Sequence, residues 1–212
     1  MTQEHSEKSG YYYPNRMVRI YLDAIQEIMG AHGVKALLNL ANMQHLIDNY
    51  PPDNLNKEFD FADFTRLNEA MEQMYGPRGG RALALRAGRT AFDQGFKDFG
   101  AMAGIADQTF RLLPLSTKLK VGLRAMAVAF SSSSDQVSYV RDEPDRFVYV
   151  IERCPCCWER HTAAPICHAA MGVIQEGVSW GTGGIKFKMS EVACIAMGDK
   201  SCDFAISKKP VE

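Results

Sequence analysis

The chain has 212 residues, 46% hydrophobic and 23% charged, with a formal net charge of −1. That length suits one large domain, or a domain with an appended helical segment, and the composition supports a packed core. A near-neutral balance without charge blocks excludes the electrostatic footprint of a nucleic-acid or polyanion binder.

The first ten residues are polar and lack the apolar stretch of a secretory signal, and there is no run of about 18 apolar residues to serve as a transmembrane segment. The expectation is a cytoplasmic protein with reduced thiols. Residues 1–13 read as a flexible arm carrying Tyr11, Tyr12 and Tyr13. Three adjacent tyrosines cannot all face one core, so the arm should dock on the body or on a second subunit.

Helical spacing follows. Met17, Ile20, Tyr21, Ala24, Ile25 and Ile28 form one stripe over a helix from about Arg16 to Met29, with Asn15 as its cap and Gly30 and Gly33 as its stop. A second helix runs from Val34 to about Asn42. Asp60 or Asp63 opens a third, through Met74, closed by Gly76-Pro77. The stretch from Gly80 to Phe99 carries Leu85, Phe92, Phe96 and Phe99 on one face, with Gly88 and Gly95, seven apart, available for close approach of another helix. Further helices are expected over Ile105 to Leu113 and Thr117 to Phe130. The helices of residues 14–76 look suited to forming a homodimer.

The pattern then changes. Ser131 to Ser134 reads as a linker. Val137 to Val140 and Phe147 to Ile151 are β-branched and aromatic, and Asp142-Glu-Pro-Asp145 turns between them, which makes a hairpin. Pro165 to about Gln175 reads as a helix, and a second hairpin joins Ile185–Ile195 to Cys202–Ile206 around Gly198. Helices followed by hairpins give an α+β fold: a helical N-terminal part packed on an antiparallel sheet of hairpins, with a zinc-stapled C-terminal region.

All six cysteines lie from Cys154 to Cys202. Clustered thiols in a reducing setting read as metal ligands. Zinc favours thiolate and imidazole in a tetrahedron, with carboxylate as a further ligand type. Two sets compete. One takes the C-x-x-C pair Cys154 and Cys157 with Cys194 and Cys202. The other takes Cys167, Glu191, Cys194 and Cys202. A straight strand would put Glu191 and Cys194 on opposite faces, so the second set needs a bulge or a strand end between them. Spacing alone leans toward the first. Cys156 reads as a small buried hydrophobe. His161 and His168 flank the cysteines as surface or supporting residues.

The residues Cys154-Pro155, Pro165-Ile-Cys167, Gly172 and Glu191-x-x-Cys194-x-x-x-Gly198-x-x-x-Cys202-x-Phe204 resemble the 4-vinyl reductase domain. That domain is similar to the ligand-binding fold of the Bet-three-type subunits of the Golgi tethering complex and of haem nitric-oxide sensors. The sharp match covers about residues 150–206 and a looser one reaches back to Arg78-Gly79 and Gly88-Arg89. The resemblance implies a ligand-binding domain over residues 77–207. It also implies a structural zinc on Cys167, Glu191, Cys194 and Cys202, reversing the preference from spacing. Its functional implication is a non-catalytic sensor or carrier for a hydrophobic molecule (a tetrapyrrole, hydrocarbon or aromatic). Met171, Met189 and Phe147 are then candidates to line the ligand space beside the metal. Alternatives are a vinyl reductase, or an accessory to one, in chlorophyll synthesis, and a scaffold without ligand. No nicotinamide, flavin or phosphate-binding motif supports autonomous catalysis.

Overall fold

A computed structural model describes residues 8–96, 110 and 112–211. Phe99 and most of the helix expected over Ile105 to Leu113 lie outside the described residues, as does the side chain of Phe96.

The tyrosine arm is spent within the chain. Strand β1 (Tyr12–Pro14) pairs antiparallel with β2 (Lys57–Asp60). Tyr13 is buried against Phe61 and Phe64, at ring distances of 5.0 and 5.2 Å. Tyr11 packs edge-on against Trp158 at 5.4 Å, with Arg153 over its other face at 4.0 Å. Burial of the Tyr13 ring supplies an area-driven gain of about 1.5–3 kcal/mol, and the half-buried Tyr11 ring a smaller one. That gain offsets part of the entropy of ordering residues 8–13, and the β1–β2 pairing and the Asp60 contacts add to it.

Helix α1 (Asn15–Leu40) and helix α2 (Phe61–Ala91) are each two helical segments meeting at a kink on a glycine, Gly30 and Gly76, where the sequence predicts a stop. Gly30 (φ 72°, ψ 166°) and Gly76 (φ 71°, ψ 170°) adopt nearly the same conformation, one closed to side chains with a Cβ. Each glycine turns the chain sharply and helix resumes beyond it. Asp60 caps α2: Oδ1 accepts from the Ala62 N–H at 2.8 Å and the Ser9 N–H at 3.0 Å, and Oδ2 from the Gly10 N–H at 3.1 Å. One carboxylate thus starts a helix and ties down the arm.

Helix α3 (Leu115–Ser133) absorbs most of the expected serine linker. The Ser133 and Ser134 hydroxyls donate back to the Ala129 and Phe130 carbonyls at 2.6 and 2.7 Å, so these serines satisfy the helix end rather than unwinding it. Strands β3 (Ser138–Asp142) and β4 (Arg146–Ile151) form the first hairpin. Helix α4 (His168–Thr182) starts at Cys167 and runs beyond Gln175, ending at Gly183 in the left-handed conformation. Strands β5 (Phe187–Ala193) and β6 (Cys202–Pro210) close an antiparallel sheet of order β3-β4-β6-β5.

Helices α2 and α4 cross at two glycines. A Cβ on Gly88 would stand 2.1 Å from the Ala169 carbonyl oxygen, and one on Gly172 would stand 2.1 Å from that of Leu85. The contact is reciprocal and backbone to backbone. It fixes α4, and Cys167 at its start, relative to the N-terminal helices.

Candidate metal centre

Five cysteines and one glutamate converge at the start of α4. The loop Cys154-Pro-Cys-Cys157 leaves β4 and is gripped by α2. The Thr65 hydroxyl donates to the Pro155 carbonyl at 2.6 Å and accepts from the Trp158 N–H at 2.9 Å. Arg160 forms a two-pronged pair with Glu72 at 3.1 and 2.7 Å. Cys167 comes from the α4 N-cap. Glu191 comes from β5, where the register with β6 shifts between Glu191 and Ala193. Beyond Ala193 the strand gives way to a short 3-10 turn, Ile195–Met197, capped by Gly198 in the left-handed conformation. That bulge and strand end meet the requirement that the Glu191/Cys194 spacing sets: both side chains reach one place. Cys202 opens β6, opposite Ile151.

The sulfurs are close and unbonded. Cys154–Cys167 is 3.5 Å, Cys157–Cys202 is 3.4 Å, Cys167–Cys202 is 3.5 Å, Cys167–Cys194 is 3.8 Å and Cys194–Cys202 is 4.0 Å. All six cysteines are free and buried. A disulfide has an S–S length of about 2.05 Å. Two quartets have their ligand atoms within 4.8 Å of one another among the described residues: Cys154, Cys157, Cys167 and Cys202, and Cys167, Glu191, Cys194 and Cys202. The second is the set that the resemblance implied. The first pairs the C-x-x-C cysteines with Cys167 and Cys202, a combination that neither sequence reading contained. Strand geometry could not supply it, because it depends on Thr65 and Glu72, some 85 to 90 residues away, holding the loop.

The Glu191 carboxyl is poorly compensated within the protein. Glu191 Oε2 accepts from the Cys167 N–H at 3.0 Å, while Oε1 is buried with no partner. Burial, and after it the negative charge at Cys194, pushes Glu191 up to about 9. An uncompensated carboxylate is costly in such a place, and a metal ion reverses that logic. Desolvation likewise pushes the Cys167 thiol up. Hydrogen bonds, the largest from Cys154, hold Cys157 well below the usual thiol range. His168 is half-buried, and burial lowers it to about 4. It is in neither quartet, and His161 is exposed.

Beside the cluster lies a cavity of about 40 Å³, lined by Tyr13, Tyr21, Met126, Phe130, Tyr149 and Cys156 among others. Cys156 faces this space while Cys154 and Cys157 face the sulfurs, so the one loop borders both sites. The Tyr13 hydroxyl donates to Gln136 Oε1 at 2.6 Å, and Tyr21 donates to Asn68 Oδ1 at 2.8 Å. The residues expected to line a ligand space do not meet here. Phe147 and Met189 flank Ile206 in one row across the sheet. Met189 opens onto a surface groove with Arg89 and Gln175. Met171 is buried on α4, its N–H bonded to the Cys167 carbonyl at 3.0 Å.

No family model and no curated protein matches the sequence. Solved structures do match in fold. An oxygen-binding H-NOX domain related to soluble guanylate cyclases, in its oxygen complex, covers 94% of this chain and 97% of its own at 14% identity and a TM-score of 0.56. An Fe(II) unliganded H-NOX protein from K. algicida covers 94% and 97% at 8% identity and a TM-score of 0.55. An H-NOX protein from S. oneidensis in the Fe(II)NO ligation state covers 92% and 99% at 12% and 0.52.

These matches correct the resemblance to the 4-vinyl reductase and tethering-complex domains. The motif behind it is a local clasp of fifty-odd residues, whereas the H-NOX likeness runs over nearly the whole chain. They also correct zinc as the expected cofactor, since heme is the group named for the H-NOX family. The described residues do not fit that group either. Among the described residues no histidine lines the cavity, and about 40 Å³ is far below the several hundred Å³ of a cofactor pocket. At this identity the likeness establishes the fold alone: this chain has the H-NOX architecture.

Proposed function

We propose that this chain is a non-catalytic binding domain for a very small apolar molecule, its chamber braced by a metal ion at Cys167, Glu191, Cys194 and Cys202. The observation that carries the binding reading is the cavity beside the cluster. Its walls come from β1, α1, α2, α3, β4 and α4, so an occupant would touch nearly every layer of the fold. The polar groups on its lining are already paired within the protein, Gln136 accepting from Tyr13 and donating to Ser138 at 2.7 Å. A ligand therefore gains by apolar contact rather than by hydrogen bonding. About 40 Å³ admits a xenon-sized atom or a short hydrocarbon. Met126 and Phe130 are the walls able to turn aside for more, methionine being the adaptable one. A tetrapyrrole falls outside that range.

The metal reading rests on the four ligand atoms within 4.8 Å and on the buried, partnerless Glu191 Oε1. A shell filled by four side chains leaves no position for water, so such an ion braces rather than hydrolyses. It would join the start of α4 to the β5–β6 turn.

Xenon tests the chamber. Xenon-129 NMR of the full chain should show one saturable site, and Ala170→Leu, which grows a side chain from the cavity wall, should abolish it. Absence of a saturable site would leave a solid interior and favour a scaffold, the reading that the small volume supports. Elemental analysis of the purified chain should find bound metal that Cys202→Ala loses and Cys156→Ala keeps.

A further inference from the structure

The cluster holds more ligands than one ion can use. A single tetrahedral ion takes four ligand atoms. Six converge here: the thiols of Cys154, Cys157, Cys167, Cys194 and Cys202 and the Glu191 carboxylate. They fall into two quartets that share one edge, Cys167 and Cys202. Two four-coordinate ions sharing two ligands need six ligand atoms in all, so nothing is left over and nothing is missing.

The distances agree. A metal–sulfur bond of about 2.3 Å gives a tetrahedron an S–S edge of about 3.8 Å. The edges of the first quartet include 3.5, 3.4 and 3.5 Å, and those of the second include 3.5, 3.8 and 4.0 Å. The shared Cys167–Cys202 edge is 3.5 Å. Ions on either side of such an edge, each about 2.3 Å from both sulfurs, would stand about 3 Å apart. That is the spacing of a thiolate-bridged pair.

We propose that this cluster is a binuclear metal site in which the Cys167 and Cys202 thiolates bridge two ions. Cys154 and Cys157 complete one tetrahedron, and Cys194 and Glu191 complete the other. The inference rests on the single-ion reading given under the proposed function and adds a second ion to it. Whichever of the five thiols and the Glu191 carboxyl carry protons release them to solvent on binding, so that all six ligands are charged. Two divalent ions then meet five thiolates and one carboxylate, leaving a charge of −2. Backbone donors face that charge: the Cys167 N–H to Glu191 at 3.0 Å and the Ile195 N–H to Cys202 Sγ at 3.4 Å. The N-terminus of α4, a helix of 15 residues, adds the positive end of its dipole. Bridging also explains the chain order: the two shared cysteines sit on separate elements, α4 and β6, so each ion crosslinks the loop or the turn to both.

The class of metal follows from the donors. Five sulfurs and one oxygen suit a soft or borderline divalent ion. Cadmium is the probe, because its nucleus reports each bonded cysteine. The full chain, stripped under reductant and reloaded with cadmium-113, should carry two ions in native mass spectrometry. In proton–cadmium correlation spectra the β-protons of Cys167 and Cys202 should each couple to two cadmium resonances. Those of Cys154, Cys157 and Cys194 should couple to one. Cys157→Ala and Glu191→Gln should each reduce the content to one ion, at opposite sites. One ion per chain with no shared coupling overturns the binuclear proposal and leaves the single-ion reading standing. No bound ion overturns both, and bound iron with acid-labile sulfide overturns the thiolate bridge. Should either variant fail to fold, the coupling pattern of the unsubstituted chain decides alone.

Discussion

At the scale of single residues, the α2–α4 crossing depends on the absence of two methyl groups. Gly88 and Gly172 each face a carbonyl oxygen at a distance no Cβ tolerates. Gly172→Ala should therefore destabilise the chain by about 1–3 kcal/mol, the usual cost of overpacking, through the forced separation of two backbones. Gly122→Ala is the matched control. Its Cβ would meet only Phe110 at an ordinary 3.9 Å, and it lies inside α3. Helix propensity then predicts a gain of up to about 1 kcal/mol. Thermal unfolding of the two variants settles the point: equal shifts of the same sign would remove the crossing argument. Gly172 also belongs to the cysteine-bearing motif of the sequence, and its physical reason is visible only in the crossing.

At the scale of elements, Asp60 serves both α2 and the arm. Asp60→Ala removes the cap on Ala62 and the two contacts to Ser9 and Gly10. A cap alone is worth about 0.5–2 kcal/mol. Limited proteolysis should show the first strand becoming accessible together with the loss of stability; an arm that stays protected would mean the tyrosine packing holds it unaided. Asp142 ties three elements, β3, α3 and β6, through Lys120 and Lys208, both at 2.7 Å. Hydrogen bonds from Lys120 and then Lys208 lower its pKa to about 2. The unfolded value is about 3.9, so the folded state favours the charged form. The contribution is present above about pH 4 and is lost as pH falls through about 2. Melting curves of Asp142→Asn and the unsubstituted chain should then converge on going from pH 5 to pH 2, and also at high salt, since the pair is exposed. A gap that stays constant across that range would assign it to packing.

At the scale of the molecule, the cysteine cluster is the joint between the helices and the sheet. The clustered side chains come from the β4–α4 loop, the start of α4, β5 and β6, and the loop itself is held by α2. If the cluster holds the proposed ion, chelation should loosen a defined region. Hydrogen exchange of the metal-stripped chain should rise over residues 154–167 and 194–202 while β1–β2 and the α1 core keep their protection. Acid should do the same, because protons compete with metal for thiolates. Uniform loss of protection would instead make the ion a requirement for the whole fold.

Local order was largely legible from the residues. The stripes of α1 and α2, the breaks at Gly30 and Gly76 and both hairpins follow from period, turn chemistry and glycine conformation, which act over a few residues. So does the need for a bulge after Glu191, which the register shift supplies. What pattern alone could not assign was anything that joins distant segments. The helix over Ser131–Ser133 depends on back-bonding that competes evenly with a turn, and the closure of α2 on α4 depends on two glycines some 84 positions apart. The six cysteines read as candidate metal ligands, but their arrangement in two quartets sharing Cys167 and Cys202 depends on Thr65 and Glu72 holding the loop. The motif around Cys194 and Cys202 pointed to one family, while the path of the whole chain has the H-NOX architecture. Spacing determines which cysteines can share a turn; only packing decides which turns meet.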